Sequence, residues 1–144
     1  MSWAGNISPF KLLNKSLFRK KEQALSPSDT GLSPRRLAEV EQAMQQWIEN
    51  KAYRLPDRTL SEAALRIGCT SRELYRYCLT LGVDFRSWRS SLRIHDAREM
   101  LVAEPETSYA TIARRVGFTD RSNFYHQFKA QTGMTPDEWR KNRP

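Results

Sequence analysis

The sequence predicts an all-α fold made of two helix-turn-helix units joined by a long helix, and three observations lead to it. From Ser33 onward, apolar residues recur with the 3.6-residue period of an α-helix. Helix-start signals, a Thr or Ser followed three positions later by Glu, return along the same stretch. The chain also repeats itself. Ala64-Leu65-Arg66-Ile67-Gly68-Cys69-Thr70-Ser71-Arg72 overlies Ala113-Arg114-Arg115-Val116-Gly117-Phe118-Thr119-Asp120-Arg121 at an offset of 49 positions. After a one-residue insertion Leu74-Tyr75 meets Phe124-Tyr125, and after one more Gly82 meets Gly133 and Trp88-Arg89 meets Trp139-Arg140.

The elements follow in order. Residues 1–32 contain Gly5, Pro9, Pro27 and Gly31 and carry a net charge of +3 from Lys11, Lys15, Arg19, Lys20 and Lys21 against Glu22 and Asp29. They read as a basic, flexible N-terminal tail or linker in which Pro9 to Phe18 can form a short amphipathic helix. A folded domain, 33–144, begins where Ser33-Pro34 supplies an N-cap and a first-turn proline. Leu37, Val40, Met44, Trp47 and Ile48 mark one face of a helix running to about Asn50. Thr59-Leu60-Ser61-Glu62 is a capping box that opens a short helix ending at Gly68. Thr70-Ser71-Arg72-Glu73 is a second box only two residues on, and the tight turn between them is the mark of a helix-turn-helix unit, about 59–82. Its second helix turns Leu74, Tyr77, Cys78 and Leu81 inward and leaves Arg72, Tyr75, Arg76 and Thr80 outward.

Asp84 caps a connecting helix, about 84–102, whose apolar positions Phe85, Trp88, Leu92, Ala97, Met100 and Leu101 persist until Glu104-Pro105 stops it. The pattern then restarts. Ser108 caps a short helix with Ile112, Ala113 and Val116 inward, Gly117 to Asp120 makes the turn, and Asn123 to Gln131 forms the outward helix of a second unit, about 108–132. Thr135-Pro136-Asp137-Glu138 is a third box opening a last short helix. Trp47, Trp88 and Trp139 lie on apolar stripes and read as core anchors.

Composition bounds the function. The chain has 144 residues, a formal charge of +8 and a pI near 9.9, which excludes a large multidomain enzyme. No apolar run approaches the roughly 20 residues of a membrane span. Cys69 and Cys78, the only cysteines, support neither a disulfide scaffold nor a four-cysteine zinc site, so no metal and no cofactor are expected. No nucleophile elbow, metal pair or glycine-rich phosphate loop is present, and no small-molecule site is evident. The chain is therefore expected to have no catalytic residues and not to be an enzyme. Of the basic residues 17 are Arg and 7 are Lys. Arginine's planar fork suits phosphate and guanine, but charge alone leaves a solvated surface or anionic lipid equally open.

Ile112-Ala113, then Val116-Gly117-Phe118-Thr119-Asp120-Arg121-Ser122-Asn123-Phe124, then Phe128-Lys129, Thr132-Gly133, and Thr135-Pro136 before Trp139-Arg140 resemble the C-terminal signature of the AraC/XylS family of bacterial transcription regulators. Leu92-Arg93-Ile94 with Ala97 and Leu101 is similar to that family's connecting helix, and Leu60 to Gly68 to its first unit. The resemblance spans roughly residues 35–143. It implies a seven-helix domain with two helix-turn-helix subdomains, sequence-specific binding to double-stranded DNA near promoters, and action in the cytoplasm as an activator. Two departures lie in the first unit, where Cys78 replaces an aromatic and the Phe-Lys pair is missing.

On this reading the base-contacting candidates are Arg72, Tyr75 and Arg76 in the first unit and Arg121, Asn123, Tyr125 and His126 in the second. Arg76 is best suited to grip guanine through O6 and N7, against the alternative of an ion pair with Glu73. Asn123 is open to a second role, satisfying the helix terminus. The phosphate-contacting candidates are Thr59, Thr70, Ser71, Thr119, Ser122, Lys129 and Arg140. Each capping hydroxyl among them already has a structural explanation. A monomer is expected to read two adjacent major-groove segments, because a 19-residue connecting helix spans ~28 Å, close to one groove repeat of roughly 34 Å.

Other readings stay open. The chain is either a small stand-alone regulator or the DNA-binding portion of a longer, sensor- or membrane-linked one, with membrane contact of the tail the weaker case. A helical module for protein interaction, touching RNA polymerase through Glu99, Glu104 and Glu106, competes or coexists with DNA binding.

Overall fold

A computed structural model describes residues 26–142. The basic run Lys11 to Lys21 and the amphipathic stretch Pro9 to Phe18 lie outside the described residues. Among these there are seven α-helices and no strand, grouped in two compact units.

The first unit comprises residues 26–52 and 57–88. Helix α1 (Pro34–Glu49) starts at Ser33, whose hydroxyl accepts the Arg36 N–H at 3.0 Å. Its buried stripe is Val40, Met44, Trp47 and Ile48. Helix α2 (Leu60–Ile67) starts at Thr59, which accepts the Glu62 N–H at 3.1 Å. The expected reciprocal bond is displaced by one residue, because the Glu62 carboxylate takes the N–H of Arg58 at 2.8 Å instead of that of Thr59. Helix α3 (Ser71–Leu81) has both halves of its capping box at 3.0 Å, Thr70 with the Glu73 N–H and Glu73 with the Thr70 N–H. The α2–α3 turn is closed by the N–H groups of Gly68 and Cys69, which both return to the Ala64 carbonyl. The core of this unit joins the α1 stripe to Ala63, Ala64 and Ile67 of α2 and to Leu74, Tyr77 and Cys78 of α3. An aromatic cluster closes one end, with Trp47 5.6 Å from Phe85 and 5.9 Å from Trp88 between ring centroids. Each such buried ring contributes about 1.5–3 kcal/mol from apolar burial.

Residues 26–32, assigned from sequence to the flexible tail, carry structure. Ser26-Pro27 opens a 3-10 turn over Pro27–Thr30 in which the Ser26 carbonyl accepts the Asp29 N–H at 3.0 Å and the Ser26 hydroxyl, unlike that of Ser33, caps no backbone N–H. The turn lies against α1 and α3 and buries Thr30 completely.

The second unit comprises residues 53–56 and 89–142. Helix α4 (Phe85–Ala103), 19 residues long, begins in the first unit behind Asp84, whose carboxylate accepts the Ser87 N–H at 3.1 Å. Most of its length belongs to the second unit. Helices α5 (Tyr109–Val116), α6 (Arg121–Thr132) and α7 (Pro136–Asn142) complete the fold. Ser108 caps α5 through the Thr111 N–H. Asp120 caps α6 by accepting the Ser122 N–H at 2.9 Å. That carboxylate is why α6 starts two residues before the expected Asn123, making Arg121, Ser122 and Asn123 its first turn. It also leaves Asn123 without the capping role.

Ile94, Ala97 and Leu101 of α4, Ile112, Ala113 and Val116 of α5, and Phe118, Phe124 and Phe128 form the second core. An aromatic ladder runs through it, Phe118 to Phe124 at 5.3 Å, Phe124 to Phe128 at 5.8 Å and Phe128 to Trp139 at 6.0 Å. Gly117, in the α5–α6 turn, has φ of +111°. A Cβ there would stand 2.6 Å from Arg93 Nε and 2.7 Å from the Arg54 carbonyl oxygen. The buried Arg93 in turn donates to the carbonyls of Tyr53 at 2.6 Å and Leu55 at 2.9 Å. Arg54 grips Asp96 through two bonds of 2.5 and 2.8 Å. The short segment 53–56 is thus fastened to α4 by polar contacts at both faces.

Candidate nucleic-acid interface

In each unit a capped helix follows a tight turn, buries one stripe and turns the opposite face outward. On α3 the buried stripe is Leu74, Tyr77 and Cys78. Arg72 is exposed, Tyr75 is 57% exposed despite its large ring, and Arg76 is half-buried at the edge of the same face. Ser71 is the first residue of α3, behind the cap Thr70, and Thr59 holds the corresponding place before α2. These hydroxyls and the first free N–H groups stand at helix N-termini, where an anion is favoured.

The α3 start is fixed by charge as well as by its box. Glu73 accepts from Arg36 of α1 twice, at 2.5 Å from Nε and 3.0 Å from Nη2, while also holding the Thr70 N–H. The Arg36 guanidinium, then the Thr70 N–H, bring the Glu73 carboxyl down to about 2. Glu73 is thereby spoken for, and the ion pair with Arg76 weighed from sequence does not form. Arg76 donates from Nη1 to the Thr30 carbonyl at 2.7 Å instead.

On α6 the buried stripe is Phe124 and Phe128. Arg121, Ser122, Asn123, Tyr125, His126 and Lys129 are exposed, as is Thr119 in the turn. Tyr125, at 47%, is the counterpart of Tyr75. Between the N-terminal turn of α5, at Ser108 to Ala110, and the Arg121, Tyr125, His126 and Lys129 side of α6 lies an open cleft of about 580 Å³. The cationic groups of this cleft face a helix N-terminus, and a carboxylate lines none of it. Such a surface suits a polyanion.

The charge pattern separates two kinds of arginine. Arg36, Arg54, Arg66 and Arg115 sit against Glu73, Asp96, Asp57 and Glu104, and serve the fold. Arg72, Arg76, Arg121 and Lys129 have no ion pair among the described residues. Exposed cations without a salt bridge among the described residues also stand off these two helices, at Lys51, Arg58, Arg86 and Arg114, so the outward helices hold part of the unneutralised charge and not all of it. Arg140, expected to touch phosphate, belongs with the structural set. Its guanidinium donates to the carbonyls of Leu101, Glu104 and Thr107 at 2.9, 3.1 and 2.8 Å and lies 5.0 Å over the Tyr109 ring. It closes the C-terminal end of α4, where a cation is favoured by the helix dipole.

Sequence reasoning missed the contact of residues 26–32 with α3 and the part of Ser108 and Tyr109 in the α5–α6 cleft. Ser108 was visible as a cap. The Thr30 carbonyl had no signal, since every residue carries one.

A family model described as a helix-turn-helix domain matches residues 63–142, more than half of the chain. The chain belongs to the AraC/XylS family. Among its relatives the arabinose operon regulatory protein of Salmonella typhimurium is 37% identical over 70 residues, 49% of this chain and 25% of that protein. The transcriptional activator NphR of a Rhodococcus species is 31% identical over 85 residues, 59% of this chain and again 25% of the relative. The C-terminal domain of AraT, a response regulator from Geobacillus stearothermophilus, has a similar structure, with a TM-score of 0.64 at 30% identity over 78% of this chain and 88% of that one. This AraC/XylS-family chain thus spans about a quarter of the length of the curated relatives it matches. The family and these relatives are transcription regulators, not enzymes, and this chain carries the family's helix-turn-helix domain. No helix among the described residues is long and apolar enough to cross a membrane.

Proposed function

We propose that the protein binds double-stranded DNA sequence-specifically, placing α3 and α6 in adjacent major-groove segments of a promoter site, and that it acts as an activator in the cytoplasm. The observation that carries this reading is the duplication of one outward face. Arg72, Tyr75 and Arg76 on α3, and Arg121, Asn123, Tyr125 and His126 on α6, combine unpaired cations with an exposed tyrosine. Arginine reads guanine bidentately, and Asn and His donate and accept at base edges. Thr59, Thr70, Ser71, Thr119, Ser122 and Lys129 contact phosphates at the edges of these helices and set their register.

A monomer with two reading helices recognises an asymmetric site without a dimer partner. Activation is supported by the name of the NphR relative and entails a second surface that meets RNA polymerase. Of the acidic residues proposed for that surface, Glu104 is already paired with Arg115 at 2.7 Å, which leaves Glu99 and Glu106 to carry it.

The test is selection of bound sequences from a random duplex pool, followed by footprinting of the winner. The expected site is protected over two successive major-groove segments. Protection confined to one helical turn rules out simultaneous reading by both helices. Binding that depends on salt but selects no sequence rules out base readout altogether.

A further inference from the structure

Arg76 differs from the other outward cations in being held. Its Nη1 donates at 2.7 Å to the carbonyl of Thr30, 46 positions upstream. That carbonyl is itself fixed, because Thr30 is fully buried and its hydroxyl donates to the Pro27 carbonyl at 2.8 Å while accepting the Leu32 N–H at 3.1 Å. The next residue, Gly31, has φ of +75°, and a Cβ there would stand 3.4 Å from Arg76 Nη1. The three residues Thr30 to Leu32 and the outer side of α3 at Arg72, Glu73 and Arg76 enclose a small cleft of about 110 Å³.

The chemistry of the partner decides what this contact does. A carboxylate would neutralise Arg76 and hold two of its donors, but the neighbouring Glu73 is taken by Arg36. A backbone carbonyl accepts one N–H and leaves the charge in place. The remaining donors of Arg76 make no hydrogen bond among the described residues, so the edge that grips guanine O6 and N7 stays free. A long arginine side chain tethered at one amino group has fewer arrangements to lose on binding, which is the meaning of preorganisation.

We infer that residues 26–32 are a specificity element of the first helix-turn-helix unit, in which the Thr30 carbonyl is a positioning group that presents Arg76 to a base. This rests on the reading of α3 as a DNA-reading helix.

The experiment compares base preferences of the full chain and its variants in a random duplex selection, with helicity checked by circular dichroism. Arg76→Ala removes the reader, and Arg76→Lys keeps the charge without the fork. Gly31→Val strains the turn at its positive φ, and Thr30→Ala removes the two hydroxyl bonds that fix the carbonyl. Neither substitution alters a residue of α3, although a Cβ at position 31 stands 3.4 Å from Arg76 Nη1, so Thr30→Ala is the variant that leaves the space around Arg76 unfilled. The expected result is that Arg76→Ala and Arg76→Lys both erase the preference at one base position. Gly31→Val and Thr30→Ala then narrow the preference at that same position by roughly threefold or more, a share of the ~5- to 150-fold a bidentate contact supplies, with other positions unchanged.

Unchanged preference in both turn variants overturns the inference, as does uniform weakening at all positions. Tighter binding also overturns it, since the turn would then be withholding Arg76. All three leave α3 as the reading helix. If Arg76→Ala disturbs no base position, the reading beneath the inference fails instead. Should Gly31→Val lose helicity, Thr30→Ala decides alone.

Discussion

Glu73 and Arg36 meet through two parallel hydrogen bonds, 2.5 Å from Nε and 3.0 Å from Nη2, across 37 positions of chain. The same carboxylate closes the capping box of α3, so one side chain ties the start of that helix to α1. The Arg36 guanidinium chiefly, and the Thr70 N–H after it, lower the Glu73 carboxyl from 4.5 to about 2. A carboxyl lowered on folding stabilises the native state above its unfolded value and loses that contribution as pH falls towards its folded one. The window is therefore pH 4.5 to 2. Urea unfolding midpoints of the wild type should fall through it more steeply than those of Glu73→Gln, and parallel curves for the two proteins would refute the assignment.

Gly117→Ala is expected to be among the most damaging single-methyl additions. The new Cβ would meet Arg93 Nε at 2.6 Å and the Arg54 carbonyl at 2.7 Å, and the backbone would remain at φ of +111°. Arg93 cannot swing aside without releasing the Tyr53 and Leu55 carbonyls. A loss of about 3 kcal/mol or more follows from a clash, positive-φ strain and a disturbed buried polar network together. Urea denaturation measures it directly, and a loss under about 1 kcal/mol would show that the segment 53–56 yields easily.

What could be read in advance depended on how local the cause was. Ser33, Thr70, Asp84 and Ser108 cap helices because a side-chain oxygen reaches an N–H two or three residues on, and that distance is written in the sequence. The buried stripes of α1 and α5 follow from the helical period. The α6 start lies two residues before Asn123 because the Asp120 carboxylate caps the helix instead of only closing the turn. Longer-range pairings escaped. Glu73 was weighed against Arg76, one turn away, but the capping box turns its carboxylate towards the helix start, where Arg36 arrives from α1. The partners of Arg76 and Arg140 are backbone carbonyls, which no residue type announces. Pro27 and Gly31 read in the sequence as breakers of a tail, whereas in the fold they start and stop a docked turn.

Arg121 and Tyr125 occupy the outward side of α6 on successive turns, and both line the α5–α6 cleft. If Arg121 reads a base, Arg121→Ala should cost about 1–3 kcal/mol on the selected site and relax preference at one position. Tyr125→Phe should retain most affinity if the ring packs against a thymine methyl or sugar, and should lose it selectively if the hydroxyl bonds a base edge. Electrophoretic mobility shifts on single-base variants of the site separate these outcomes. Equal weakening on every duplex would reassign Arg121 to phosphate.

Lys129 and Arg140 were both expected at phosphates, and their surroundings now set them apart. Lys129 is exposed beside the α5–α6 cleft with no ion pair among the described residues, whereas Arg140 spends three hydrogen bonds on the carbonyls of Leu101 in the last turn of α4 and of Glu104 and Thr107 in the loop after it. Lys129→Ala should leave thermal stability within about 0.5 kcal/mol, as surface substitutions do, and lower the salt dependence of DNA binding by about one phosphate, a change near 0.9 in slope. Arg140→Ala should do the reverse, costing about 2 kcal/mol because three partly buried carbonyls lose a charged donor, with the salt slope unchanged. Arg140→Lys should not recover it, since one ammonium cannot span the positions that Nε and Nη2 reach together. Thermal melts and binding isotherms at several salt concentrations test both variants, and a reduced salt slope for Arg140→Ala at full stability would return that residue to the DNA.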